Sequence, residues 1–209
     1  MDDIHTPITI DNASAEYPLL EKWVNDRAKF KTEVYGGHGF HIARPSDSFN
    51  GLMLNSVEKA IDNKIDVKYS FLRLSTTKQD SDIRIHVDSM MEAKYAWVLY
   101  FTDPPVIAPW DEGSFSEQKY GTAFFKHIKH GKEFTPESNP FESNRLITED
   151  SWDLSKWKMY KVCTMKKNRL LIFPTSLFHC RYPFKGWGND KTNGRVVSVG
   201  FFNILNDER

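Results

Sequence analysis

The apolar residues of this chain change their period near residue 65, and this change restricts the folds open to it. Before that point they recur at helical spacing in two stretches, at about 16–31 and about 54–63. After it come eight short segments typical of β-strands, at residues 67–75, 83–88, 94–102, 122–127, 159–165, 169–173, 178–182 and 195–203. Two helices followed by eight strands predict a mainly β fold, a closed double-sheet jelly roll with the helices packed on one sheet.

Length and composition are those of one domain with a sizeable core. The chain has 209 residues, of which 40% are hydrophobic, so we expect a single domain over 1–209 with its barrel at about 67–203. Positive and negative side chains balance at 28 each, which argues against a nucleic-acid partner. No run approaches the roughly 18 apolar residues of a membrane span, and the first residues lack the apolar core of a signal peptide. We therefore expect a cytoplasmic protein without membrane contact.

Two cysteines, Cys163 and Cys180, are too few for a disulfide framework. A cysteine in an apolar strand packs as a small hydrophobic residue. We expect both to be buried free thiols.

One predicted strand carries ionisable side chains on one of its two faces. In residues 83–88, apolar side chains alternate with Arg84, His86 and Asp88, so an imidazole and a carboxylate point the same way. Such a pair is part of the 2-His-1-carboxylate site of non-haem Fe(II) oxygenases, which needs one further histidine. A half-exposed strand with a polar solvent face would show the same pattern, so the pair alone does not decide.

The third ligand has to come from elsewhere in the chain. His179 follows an apolar strand and a tight Pro-Thr-Ser turn, and there it is either a satisfied core residue or a ligand. His127 and His130 lie beside a lysine-rich turn and are expected to be solvated surface residues. Sixteen positions after His179, Arg195 heads an apolar strand, where a guanidinium needs an anionic partner or an exit to water.

The order of these motifs resembles the Fe(II)- and 2-oxoglutarate-dependent dioxygenase superfamily, closest to its small prolyl-hydroxylase-like and phage-type members. The motifs are His-Val-Asp at 86–88, Tyr-Gly-Thr-Ala-Phe-Phe at 120–125, Leu-Ile-Phe-Pro at 171–174 leading to His179, and then Arg195. The resemblance implies a double-stranded β-helix, the cupin-like jelly roll, in which His86, Asp88 and His179 bind Fe(II). It also implies that Arg195 pairs with the distal carboxylate of 2-oxoglutarate, for which a guanidinium is well shaped, and that O2 is the second cosubstrate.

The rest of the cosubstrate pocket is less well defined. Tyr100 falls where related enzymes place a hydroxyl on the same carboxylate, although an ordinary core tyrosine would fit the strand equally well. Many members have a serine or threonine two residues after the arginine, but this chain has Val197 there, and Ser198 faces the other way in a regular strand. Three residues are left as candidates to complete the pocket: Tyr100, Ser198 if a bulge turns it inward, and Arg73.

The activity that the resemblance implies is hydroxylation of an amino acid, a peptide or protein side chain, or a small metabolite. It would be coupled to decarboxylation of 2-oxoglutarate to succinate and CO2. Trp110, Phe115 and Trp187, all in predicted loops, are candidates for substrate contact and equally for local packing.

A second hypothesis is a non-catalytic cupin-like domain that binds a metal or another ligand, and a third is a cupin-type metal enzyme that uses no 2-oxoglutarate. Arg195 favours the oxygenase, because a binding module has no need of a guanidinium near its metal. The substrate and the oligomeric state are left open.

Overall fold

The computed structural model describes residues 4–35, 38–78, 85–88, 92–105, 120–133, 145–146, 148–184 and 186–205. The helices are α1 (Tyr17–Arg27) and α2 (Asp47–Ile61). The strands are β1 (Ile8–Ile10), β2 (Lys31–Tyr35), β3 (His38–Ala43), β4 (Ile65–Ser75), β5 (Tyr95–Tyr100), β6 (Gly121–His127), β7 (Trp157–Thr164), β8 (Leu170–Pro174), β9 (His179–Tyr182) and β10 (Arg195–Ile204). Two 3₁₀ turns, Asp150–Trp152 and Leu154–Lys156, precede β7.

The strands form two antiparallel sheets. The larger sheet has the order β1-β8-β5-β10-β4-β3-β2, and the smaller has the order β7-β6-β9. Residues 85–88 extend the smaller sheet at its β9 edge through a bridge between His86 and His179. This arrangement confirms the mainly β, double-stranded β-helix fold predicted from the period-two segments.

The larger sheet separates two apolar layers. Its outer face packs Trp97, Leu99 and Val196 against the helices, and its inner face packs Val98 and Val197 against the smaller sheet. The alternation of β5 predicts this division, because successive side chains of a strand point to opposite faces. The inner layer is where the predicted site residues come together.

Helix α2 is longer than its predicted range of 54–63. It begins at Asp47, because the Ser46 hydroxyl caps it by accepting a hydrogen bond of 3.3 Å from the Phe49 amide. Phe49 and Met53 extend the buried stripe toward this cap. The helix ends where Asp62 adopts a left-handed conformation.

The eight predicted strands do not include β1, β2 or β3. The first helix was expected over 16–31 but ends at Arg27, since Ala28 has extended backbone and Lys31 already begins β2. Thr32 and Val34 are both exposed, so β2 lacks the one-sided apolar pattern that predicts a strand. β1 has only three residues, which is too short to show a period.

The predicted strand at 83–88 is reduced to one bridge among its described residues, 85–88, and Arg84 lies outside them. Residues 186–194, which lead from β9 to β10, form turns without strand pairing. There Asn193 accepts hydrogen bonds from the amides of Asn189 and Asp190 through its side-chain oxygen.

The prediction that His127 is solvated is wrong. Its side chain is 4% exposed, and its Nε2 lies 3.3 Å from Oδ2 of Asp150, which is itself 1% exposed. Lys156 also reaches this carboxylate, at 2.5 Å from Oδ1. The segment that precedes β7 therefore packs against the lysine-rich turn. The local composition of the turn does not predict this contact.

Cys163 and Cys180 are buried free thiols, as predicted. Burial raises the pKa of both thiols. In the part of the chain that the structure describes, no helix has the length and hydrophobicity needed to cross a membrane.

Candidate metal centre

Two imidazoles and one carboxylate converge on the inner side of the smaller sheet. His86, Asp88 and His179 each offer one ligand atom, and these atoms all lie within 4.8 Å of one another. Nε2 of His179 is 3.2 Å from Oδ2 of Asp88, and Nε2 of His86 is 3.8 Å from Oδ1. The structure thus brings together the three residues that the sequence singled out as metal ligands.

Backbone hydrogen bonds hold the His86 segment in place. The amide of His86 donates to the carbonyl of His179 at 3.0 Å, and the amide of His179 donates back at 2.9 Å. The Asp88 amide donates to the carbonyl of Thr175, in the turn between β8 and β9, at 2.9 Å. Residues more than 90 positions apart in the sequence are therefore fixed at ligand spacing by the main chain.

His179 is oriented as a metal-binding imidazole would be. Its Nδ1 lies 2.9 Å from the carbonyl oxygen of Leu177, which can only accept, so Nδ1 carries the proton and donates. The other ring nitrogen, Nε2, is turned toward Asp88, the side on which a metal ion would bind. The rings of Phe173 and Phe124 lie 4.7 Å and 6.0 Å from the imidazole and restrict its rotation.

The neighbours of Asp88 lower its pKa. Burial by itself would raise the pKa of Asp88, but the interactions with His179, His86 and Arg73 outweigh it and hold this pKa below its usual range. Two imidazole nitrogens and one carboxylate are a donor set that suits Fe(II) and other divalent transition metals. The residues therefore fit a mononuclear metal centre with open coordination positions.

A cavity between the two sheets adjoins these three residues. Its apolar lining is Phe71, Val98, Phe173, Val199 and Phe201, and the other lining residues include Arg73, Thr122, Arg181 and Arg195. Arg181 and Arg195 are only 5% and 4% exposed. The cavity thus combines apolar walls with cationic groups.

Arg195, Thr122 and Tyr100 form one cluster in this enclosure. The hydroxyl of Tyr100 lies 2.8 Å from Oγ1 of Thr122, and Nη2 of Arg195 donates to the same oxygen at 3.4 Å. Burial raises the pKa of Tyr100, which Arg195 and Thr122 lower only in part, so its hydroxyl stays protonated. A carboxylate placed here would meet a guanidinium and two hydroxyl groups.

Sequence reasoning assigned no role to Thr122. The signal was present, because Thr122 is a single hydroxyl on the face of β6 that also carries the buried Phe124. Arg181 lies opposite Thr122 in the pairing of β6 with β9. Its side chain follows His179 by two residues and therefore shares the inner face.

Ser198 does not reach the cavity. Its hydroxyl accepts a hydrogen bond of 3.4 Å from Nε1 of Trp97, on the outer face of the sheet. The irregularity in β10 comes later, between Phe201 and Phe202, so no bulge turns Ser198 inward. Of the three residues left open by the sequence, Tyr100 and Arg73 face the site.

Trp187 packs edge-on against Tyr120, with ring centroids 4.9 Å apart. It is not among the described residues that line the cavity, which favours local packing over substrate contact. Trp110 and Phe115, the other two candidates, lie outside the described residues.

Comparisons with known proteins agree with this architecture. No protein-family model matches the sequence, and no curated protein matches it. Solved structures do match: the non-haem α-ketoglutarate-dependent carbocyclase SnoK from nogalamycin biosynthesis is 12% identical, with a TM-score of 0.57 over 95% of this chain and 80% of its own. HygX from Streptomyces hygroscopicus, with nickel and 2-oxoglutarate bound, is 10% identical, with a TM-score of 0.57 over 96% and 83%.

The α-ketoglutarate-dependent epimerase SnoN from the same biosynthesis is also similar. It is 10% identical and has a TM-score of 0.54 over 95% of this chain and 78% of its own. At such identities the likeness is one of fold. The chain therefore has the double-stranded β-helix fold of the non-haem, 2-oxoglutarate-dependent oxygenases.

Proposed function

We propose that the protein is an Fe(II)- and 2-oxoglutarate-dependent oxygenase. The observation that carries the proposal is the convergence of His86, Asp88 and His179 beside the cluster of Arg195, Thr122 and Tyr100. A metal centre and an anion site share one cavity, which is what a chelating dicarboxylate cosubstrate requires. The nickel and 2-oxoglutarate bound by HygX, a protein of the same fold, support this reading.

Each group of residues has a distinct task in this proposal. His86, Asp88 and His179 bind the metal, and Arg195 pairs with the distal carboxylate of 2-oxoglutarate. The hydroxyls of Tyr100 and Thr122 complete that carboxylate site in place of the serine or threonine that Val197 replaces. Bound iron and 2-oxoglutarate would supply oxidation of a substrate C–H bond by O2, coupled to formation of succinate and CO2.

The apolar walls serve the same chemistry. Val98 and Phe173 line the cavity and belong to the apolar layer between the two sheets, so this part of the wall is unfavourable to water. In a drier enclosure the pairing of a guanidinium with a carboxylate is stronger than in bulk water. Hydroxylation of a small molecule or of a peptide side chain is the reaction that we propose.

A non-catalytic cupin-like domain is the contrasting hypothesis. It would account for His86, Asp88 and His179, but it gives no reason for Arg195 to be 4% exposed beside them. A guanidinium inside a cavity is well suited to pair with a carboxylate, and 2-oxoglutarate carries one at its distal end.

The first experiment is an anaerobic titration with Fe(II) and then 2-oxoglutarate. We expect the visible charge-transfer band of a chelated 2-oxoglutarate in the wild type, and its loss in His179→Ala and Asp88→Ala, which remove a ligand. His5→Ala is the matched control, because His5 is exposed and lies outside the cavity lining. Iron bound without a band would favour the cupin-like domain and remove Arg195 from any role in cosubstrate binding.

A further inference from the structure

The turn between β8 and β9 contacts two of the three proposed metal ligands. The carbonyl oxygen of Thr175 accepts the hydrogen bond from the amide of Asp88 at 2.9 Å. Two residues later, the carbonyl oxygen of Leu177 accepts from Nδ1 of His179, also at 2.9 Å. Asp88 and His179 lie on different segments of the chain, so the position of this turn affects the distance between them.

Thr175 ties the turn to the start of β5. Its amide donates to the carbonyl oxygen of Lys94 at 2.9 Å, which extends the pairing of Pro174 with Tyr95 by one residue. Its hydroxyl donates to the carbonyl oxygen of Ala93 at 2.6 Å. Thr175 is only 3% exposed, so water has little access to replace this hydrogen bond if the hydroxyl is removed.

Asp88 and Ala93 are the two ends of one short connection. Only four residues, 89–92, separate them in the sequence. Thr175 bonds to both ends, to the amide of Asp88 through its carbonyl group and to the carbonyl of Ala93 through its hydroxyl. A shift of Thr175 relative to Ala93 would therefore also shift the backbone of Asp88.

Strand β10 fixes the Ala93 end independently. The side-chain oxygen of Asn203 accepts a hydrogen bond of 2.8 Å from the amide of Lys94, and its side-chain nitrogen donates to the carbonyl oxygen of Glu92 at 3.2 Å. This end is thus attached to the larger sheet, and the Thr175 hydroxyl anchors the turn to it.

We propose that Thr175 is a positioning residue of the metal centre. Its buried hydroxyl holds the turn in place, and the turn in turn sets Asp88 and His179 at ligand spacing. The inference rests on the metal-binding part of the proposed function. Loss of a group that orients metal ligands typically costs about 10–100-fold in metal affinity, and we expect about tenfold here because Thr175 acts through the main chain.

The test compares Thr175→Ser with Thr175→Ala. Both variants lack the γ-methyl group of threonine, so they differ from each other only in the hydroxyl. The probe is Co(II), titrated into the metal-free protein, because its visible absorption spectrum depends on the arrangement of its ligands. We expect Thr175→Ser to keep the Co(II) affinity and spectrum of the wild type, and Thr175→Ala to bind Co(II) about tenfold more weakly with a changed spectrum.

Ser56→Ala is the matched control for loss of a buried hydroxyl. Ser56 is 4% exposed on α2, and its hydroxyl lies 2.8 Å from the carbonyl oxygen of Leu52. This variant should keep the Co(II) affinity and spectrum. A thermal melt of each metal-free variant checks that it is folded, and Thr175→Val, which keeps the shape of the side chain, replaces Thr175→Ala if the latter does not fold.

Wild-type affinity and spectrum in Thr175→Ala would overturn the inference. Equal weakening in Thr175→Ser and Thr175→Ala would also overturn it, because the effect would then belong to the methyl group. Neither result would affect the proposed function. Absence of Co(II) binding in the wild type, or undiminished binding in His179→Ala, would instead refute the proposed metal centre, and the inference would fall with it.

Discussion

Among single residues, Thr122 has a central position in the proposed carboxylate site. Its hydroxyl contacts both Tyr100 and Arg195, so it sets the relative positions of the two groups proposed to hold the distal carboxylate. Thr122→Val keeps the shape of the side chain and removes the hydroxyl. Because one hydrogen bond contributes about 0.5–1.5 kcal/mol, we expect 2-oxoglutarate affinity to fall roughly three- to tenfold. Fe(II) affinity should be unchanged.

Anaerobic calorimetry with Fe(II) and then 2-oxoglutarate measures both affinities. Thr32→Val serves as control, since Thr32 is exposed on β2, away from the cavity. Unchanged 2-oxoglutarate affinity in Thr122→Val would show that Thr122 only packs. A thermal melt is needed beside it, because the change also leaves the buried Tyr100 hydroxyl without this contact.

Among the elements, β10 connects the site to the helical layer. It pairs with β5 on one side and β4 on the other, and its inner face carries Arg195 and Val197. On its outer face, Gly200 lies under the indole of Trp97. A Cβ added at Gly200 would be 2.1 Å from Cζ2 of Trp97, so the absence of a side chain there lets the indole pack on the strand.

We therefore expect Gly200→Ala to lower the free energy of unfolding by about 1–3 kcal/mol, the usual cost of overpacking a core. Urea denaturation measures it. The matched control is Gly51→Ala in α2, where an added Cβ meets nothing within 4 Å and the change should stabilise the helix by about 0.5–1 kcal/mol. Equal stability of the two variants would mean that Trp97 repacks without cost.

For the whole molecule, metal binding should stabilise the fold. The proposed ligands come from the segment at His86 and Asp88 and from His179 on β9, which meet only in the folded chain. A ligand that binds the native state alone, at 100 times its dissociation constant, adds about 2.7 kcal/mol. For a chain of this size that corresponds to a rise in Tm of roughly 5–10 °C.

Differential scanning fluorimetry with Ni(II), which is stable in air, measures this rise. His179→Ala should show little or none of it, and His5→Ala should show it in full. A shift of the same size in His179→Ala would place the bound metal elsewhere in the protein.

The local pattern of the sequence determined much of what lies within one element. Period-two alternation placed His86 and Asp88 on one side and divided β5 into two faces, because both properties depend only on the backbone geometry of a strand. The order of motifs indicated His179 and Arg195. Strand β2 could not be predicted in this way, because its residues are exposed and show no one-sided apolar pattern.

Only the tertiary structure decided which strands became neighbours. Contacts between residues that are distant in the sequence bring Thr122 to Tyr100 and Arg195. Such contacts also bury His127 against Asp150 and place Arg73 inside the cavity. Strand pairing and sheet packing set these contacts, and a side-chain period carries no information about them. The sequence thus determined the chemistry that each strand presents, and the pairing of strands decided which groups share one cavity.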